Sequence, residues 1–241
     1  MLRFALKLVW RLQLIILVGV AGFATGIYRQ LRAEQRAWGV TASETARSLP
    51  GDDLVPDAIV SETRGIFIDA PPEAVWPWLA QMGYGRGGWY SYDQIDMDGH
   101  SADTVLDEFQ HVAVGDRMPT HPGGGFEVKI VRPKEALVLY LDTELVSATT
   151  VEEDTPVGLQ GAGFFGDMAM SEFRASWAFI LEPAAGGRTR LVERLRLWAA
   201  DAGGVQRLAL PLMGLGVFVM TRKQMLGLKE RAERHADTRE G

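Results

Sequence analysis

Two alternating segments near the C-terminal end, Glu172–Glu182 and Arg188–Trp198, restrict the fold more than any other feature. They are joined by Ala184-Ala185-Gly186-Gly187. An apolar residue at every second position requires a pleated strand with one face buried, and a glycine pair supplies the left-handed backbone of a tight reversal. The segments therefore predict an antiparallel hairpin. In the first, Phe173, Ala175, Trp177, Phe179 and Leu181 share one face, and Arg174, Ser176, Ala178 and Ile180 the other. In the second, Leu191, Glu193, Leu195 and Leu197 alternate with Val192, Arg194 and Arg196. Trp177 and Phe179 are expected to be buried, and Arg174, Arg194 and Arg196 to be exposed. Glu193 breaks the pattern, because a carboxylate among leucines is costly unless it is paired or protonated. It is either an orienting or acid/base group in an internal cavity, or one half of a buried ion pair, or a rim residue in water.

A hairpin needs further strands and a cover. Ser61–Asp69 reads as a first strand, and Ala70-Pro71-Pro72-Glu73 opens a helix that continues through Ala74–Met82, bent or shortened by Pro77. A flexible loop, Gly83–Gly88, precedes a second short helix over Trp89–Asp96. Phe126, Val128 and Ile130 alternate with more polar neighbours, and Pro133-Lys134-Glu135 turns the chain into a strand over Ala136–Asp142. Residues 143–171 form a long acidic connection with little periodicity. From about Gly214 to Glu233, Phe218, Met225, Leu228 and Ala232 recur at helical spacing. Strands clustered between helices, without βαβ alternation, define an α+β fold, with a curved antiparallel sheet around a long C-terminal helix.

The N-terminal end has a different character. Leu12–Tyr28 contains no charge, and with Leu8, Val9 and Trp10 it reaches the length of one bilayer crossing. Trp10 and Tyr28 stand where interfacial aromatics fall. A retained transmembrane helix is one reading. A cleaved signal peptide is the other, with Gly22-Phe23-Ala24 as its small-x-small site. The expected organisation is an anchor over 1–38, a linker over 39–58 in which Pro50, Gly51 and Pro56 break regular structure, and one domain over 59–236. Arg3, Lys7 and Arg11 weakly favour a domain outside the cytoplasm. Of the chain's 25 basic and 31 acidic residues, six and one lie within 1–38; the remaining 19 and 30 leave a net charge of −11. So acidic a body repels phosphate backbones, which argues against a nucleic-acid partner. The absence of cysteine excludes disulfides, thiolate metal sites and cysteine nucleophiles.

The strings TRGIFIDAPPEAVWPWLAQMGYGRGGWYSYDQID, HSAD, EFQHVAVGDRMP, PGGGFEV, SWAFILEP, TRLVERLR and FVMTRKQMLGLKERAE resemble the START-like, or SRPBCC, superfamily. More narrowly, they resemble a bacterial branch with an N-terminal membrane segment. The resemblance runs from about Thr63 to Glu233. It implies a helix-grip fold with a deep apolar cavity between sheet and terminal helix, in a superfamily that includes lipid carriers, plant hormone receptors and polyketide cyclases. Trp89, Tyr90, Tyr92, Phe126, Trp177, Phe179, Glu193 and Phe218 are the residues expected to line such a cavity.

Other clusters point to weaker chemistry. Asp93, Asp96, Asp98, His100 and Asp103 have a metal-like spacing, but lack the register and closing glutamate of a calcium loop. The polar cluster Asp93, His100 and Asp103 is read as loop-closing hydrogen bonds, or as an oriented general base. Gly83–Gly88 follows a helix and has no lysine, unlike a phosphate-binding loop. No metal or cofactor is expected. Three functions remain open: a membrane-tethered binding or transfer module for a hydrophobic small molecule or lipid, a cyclase- or hydratase-like enzyme on a polyketide- or isoprenoid-like substrate, and a structural or interaction protein with a filled cavity. Deletion of residues 1–38 is expected to leave a soluble, folded body, which membrane fractionation and circular dichroism would check.

Overall fold

The computed structural model describes residues 25–96, 99–121, 124–147, 172–200 and 204–240, together with Gly22. Residues 25–37 are helical (α1), and α2 follows at Ala42–Ala46. Then come β1 (Val60–Ile68), α3 (Pro72–Ala80), α4 (Asp93–Asp96), β2 (Arg117–His121), β3 (Gly124–Arg132), β4 (Ala136–Asp142), α5 (Thr143–Ser147), β5 (Phe173–Ala184), β6 (Arg188–Ala199) and α6 (Gly204–Glu240). All six strands form one antiparallel sheet in the order β1-β6-β5-β4-β3-β2. The β5–β6 hairpin lies near its centre, closed by Gly186 and Gly187 with φ of 76° and 72°. Register shifts in β2 and β3 bend the β2–β3–β4 end of the sheet.

One face packs under α6 and α3. Phe173, Ala175, Phe179 and Leu181 join Leu191 and Leu197 there, beneath Met225, Leu228 and Ala232 of α6 and Val75, Trp78 and Leu79 of α3. This is the strand parity that the alternation predicts. Pro72 opens α3 and Pro77 lies inside it, and the helix has only nine residues. A proline there has no amide to close the helical turn. The C-terminal helix is longer at both ends than its apolar spacing indicates.

Several expectations are corrected. Only Asp93–Asp96 of the second short helix is helical, because Tyr90 sits at φ 59°, outside helical space. The strand β2 was not expected; its Pro119 is tolerated because β2 is an edge strand. Residues 39–58 hold regular structure after all. In α2, Thr41 and Glu44 form a reciprocal capping box, and a 3-10 turn follows at Asp52–Leu54. This segment covers the second face of the sheet, where Leu49 packs with Ala136, Val138, Ala178, Ile180 and Val192. Arg194, expected to be exposed, is therefore buried at 3%. All five of its donors are used: Thr63 Oγ1, Asp52 Oδ2 and the carbonyls of Glu44, Thr45 and Arg47 accept them at 2.7–3.0 Å. Arg196 donates to the carbonyls of Val55 and Pro56 and is half-buried with Arg174.

Apart from its C-terminal end, the uncharged run Leu12–Tyr28 lies outside the described residues. Among those residues no helix is long and apolar enough to cross a membrane. The end of α1 packs against the sheet. Gln35 is 1% exposed and donates to Glu62, while Trp38 meets Phe218 edge-on at 6.3 Å. Gly39 then passes so close that a Cβ would lie 2.2 Å from the Gly65 carbonyl oxygen. Deletion of residues 1–24 is therefore expected to keep the native melting temperature. Deletion of residues 1–38 strips Glu62 of a buried partner, costing about 1–3 kcal/mol. Thermal melts of the two truncations check the difference, and equal melting temperatures would contradict the docking of α1.

Candidate functional site

Strand register builds a buried polar cluster at the β1 side of the helix-covered face. Arg64 on β1 stands directly opposite Glu193 on β6, which stands opposite Phe179 on β5. One row over, Glu62, Leu195 and Trp177 are aligned in the same way. Facing residues on adjacent strands share a side of the sheet, so two carboxylates, one guanidinium and two aromatic rings converge. Arg64 and Glu193 are both 0% exposed, and Glu62 is 1% exposed. Arg64 Nη1 donates to Glu193 Oε1 at 3.2 Å, and its Nη2 donates to Glu62. Trp177 Nε1 also donates to Glu193 Oε1, at 2.7 Å. Phe218 of α6 lies 5.5 Å beneath the Arg64 guanidinium, a cation–π contact. Glu193 Oε2 and Arg64 Nε are buried without a hydrogen-bond partner among the described residues.

Of the two ion-pair and cavity readings of Glu193, each holds in part. It has a buried cation, yet burial pushes its pKa above the ordinary carboxylate value, with the nearby Glu62 charge adding to the rise while Arg64 and Trp177 oppose it. Burial likewise raises Glu62 against the pull of Arg64, Gln35 and Arg32. The charge count points the same way. One guanidinium balances one carboxylate, so a proton on the pair neutralises the cluster.

Trp177 ties this cluster to an aromatic group. It stacks on Trp89 with centroids 5.4 Å apart and planes 13° apart, and it lies 5.6 Å from Phe126 and 5.0 Å from Phe179. The structure thus brings together Trp89, Phe126, Trp177, Phe179, Glu193 and, through Arg64, Phe218. Tyr90 and Tyr92 are not part of this ring stack: Tyr90 meets Trp78 edge-on at 6.0 Å, and Tyr92 stands with Phe218 on an outer groove. Tyr90 is buried and donates to the Trp78 carbonyl at 3.0 Å, and burial raises its pKa. Tyr92 is 40% exposed.

The polar cluster serves the loops. Asp93 accepts from the Ser101 amide and hydroxyl at 3.0 and 2.6 Å, and Asp103 pairs with Arg231 and Arg234. His100 stands 3.6 Å from Asp93 with its side chain 95% exposed, and Asp103 pairs elsewhere, so no enclosed acid–base pair forms there. Among the described residues no group of acidic or histidine side chains could hold a metal ion. In the glycine loop, Arg86 donates inward to the Met82 and Ala80 carbonyls. Arg64, Glu62 and Gln35 were missed by sequence reasoning. The available signal was parity: Glu62 and Arg64 share the face of Ile66 and Ile68, which places two charges on a buried strand face.

No family model matches the chain, and no characterised protein matches it in sequence. Solved structures similar to it include a protein from Mesorhizobium loti, 18% identical, covering 73% of this chain and 98% of that one, with a TM-score of 0.38. A protein from Arthrobacter aurescens is 13% identical over 79% and 92%, with a TM-score of 0.41. CalU16 from Micromonospora echinospora is 13% identical over 75% and 88%, with a TM-score of 0.29.

Two substitutions separate the roles in the cluster. Glu193→Gln keeps an acceptor for Trp177 and leaves Arg64 matched one-to-one with Glu62. Arg64→Met leaves two buried carboxylates without a cation and is expected to cost about 3–5 kcal/mol. The sign with pH follows from the upward shifts. The folded state holds a proton more tightly than the unfolded one, so this contribution is full below the ordinary glutamate pKa of about 4.3 and is lost as pH rises through the raised folded value. Glu193→Gln should therefore gain stability over wild type progressively above that pH. Urea unfolding from pH 4 to 8 measures this, and a constant or shrinking difference would refute the shared proton.

Proposed function

We propose that the chain is a membrane-tethered START-like, SRPBCC-type module that binds or transfers a hydrophobic small molecule or lipid on the helix-covered face of its sheet. One observation carries the reading: Glu193 Oε2 and Arg64 Nε are buried and unpartnered among the described residues, within reach of a stacked tryptophan pair. Buried polar atoms are ordinarily satisfied. A largely apolar ligand with one hydroxyl or carbonyl would lay its body against Trp89, Trp177 and Phe126 and complete the polar atoms with its head. The uncharged run Leu12–Tyr28 supports the tether. A second reading, a cyclase- or hydratase-like enzyme, is favoured by the raised proton affinity of Glu193, which suits a buried general acid.

Native mass spectrometry of the purified full chain, followed by solvent extraction, is the test. A discrete apolar ligand should be released on unfolding. Glu193→Gln should weaken its retention about tenfold, the loss of roughly 1.4 kcal/mol, while circular dichroism stays unchanged. A chain that carries no such species, and takes up none from isoprenoid, polyketide and fatty-acid mixtures, would overturn the binding reading. Conversion of an added ligand, abolished by Glu193→Gln, would favour the enzyme.

A further inference from the structure

The outer surface where α1 meets α6 combines features that the buried cluster does not explain. A groove of about 670 Å³ is lined by Trp38, Tyr92, Phe218, Val219, Arg222 and Leu226, with Glu34 and Lys223 also at its wall. Large apolar side chains are left in solvent there: Tyr92 is 40% exposed, Val219 45% and Leu226 36%. On α6, residues 219, 222, 223 and 226 fall on one helical face, so two cations stand between two exposed apolar residues. On α1, Ile27 and Leu31 continue the face that carries Glu34, and they are 45% and 40% exposed. Tyr28 beside them is 50% exposed.

Charge sets this surface apart from the rest. Arg29, Arg32, Arg36, Arg222 and Lys223 lie on these two helix stretches against the single carboxylate of Glu34, while the chain beyond residue 38 has a net charge of −11. Arg222 spends its cation over the Trp38 ring at 5.1 Å. Among the described residues no ion pair holds Arg29, Arg36, Arg222 or Lys223. In sequence, α1 begins within the end of the uncharged run Leu12–Tyr28.

We propose that the α1–α6 groove is a docking surface for an anionic bilayer: Tyr92, Val219 and Leu226 enter the headgroup layer and Arg222 and Lys223 meet lipid phosphates. The inference rests on the membrane tether proposed above and adds an orientation to it. Interfacial helices bind by this combination of exposed apolar area and flanking cations. Charge complementarity selects the bilayer over a free protein partner, and the position of α1 at the end of the uncharged run holds the groove at the lipid surface. Through Gln35, the same helix reaches the buried carboxylate of Glu62.

The chain has no cysteine, so one introduced cysteine gives a unique label. The full-length Val219→Cys chain, carrying an environment-sensitive fluorophore, is reconstituted into vesicles of phosphatidylcholine with or without phosphatidylserine, containing spin-labelled lipid. Ala185→Cys, in the β5–β6 turn, is the control. The Val219 label should be quenched strongly in phosphatidylserine vesicles and the Ala185 label weakly. Lys223→Glu should lower the docked-to-undocked ratio by at least roughly fivefold, the effect of one basic side chain at an anionic surface. A chain that co-floats with vesicles while both labels remain equally unquenched keeps the tether and overturns the docking surface. A chain that fails to co-float with either vesicle overturns both. Quenching at Val219 that is indifferent to phosphatidylserine and to Lys223→Glu overturns the assignment of the cations.

Discussion

Arg64 is the residue around which this protein is organised. A guanidinium with no solvent exposure cannot shed its charge, so the fold must bring acceptors to it. Glu193 arrives from β6 and Glu62 from its own strand, Gln35 supports Glu62 from α1, and Trp177 of β5 donates to Glu193. Four elements, α1, β1, β5 and β6, thus meet around one charge. The cluster fixes more than it stabilises, because the desolvation of three ionisable groups offsets much of their attraction. It also lies where α1 and α6 come together over the sheet. Gly214 of α6 passes so close that an added Cβ would stand 1.9 Å from Gln35 Nε2.

A second buried arginine acts on the opposite face. Arg194 is fully hydrogen-bonded, four times by the segment between α1 and β1 and once by Thr63 of β1, and Leu49 and Val55 complete the apolar cover. Adjacent residues of a strand point to opposite faces, so Glu193 and Arg194 place one charge on each side of the sheet. The sheet is thereby covered twice, by α3 and α6 on one face and by residues 39–58 on the other.

The same architecture separates two surfaces of different chemistry. Inside, aromatic rings surround a polar cluster that holds more carboxylate than cation. Outside, the groove between α1 and α6 exposes apolar side chains beside Arg222 and Lys223. Helix α1 touches both, through Gln35 on its inner side and Leu31 on its outer side.

The α+β class, the β5–β6 hairpin, the inward face of Phe173 to Leu181 and the isolation of Glu193 among leucines were legible in the sequence, because period-two alternation and a glycine turn are local signals. The strand β2 was not, since its Arg-Met-Pro-Thr-His run has no alternation and a proline that only an edge position permits. The burial of Arg194 was also hidden: whether a polar strand face meets water or another layer depends on where residues 39–58 return. Glu193 marks the limit most clearly. Sequence placed it on an apolar face, but its partner is Arg64, 129 residues away, and only strand register decides that pairing. Local periodicity tells each residue which way to point; what it then meets is settled by the sheet order β1-β6-β5, a long-range choice that no stretch of sequence contains.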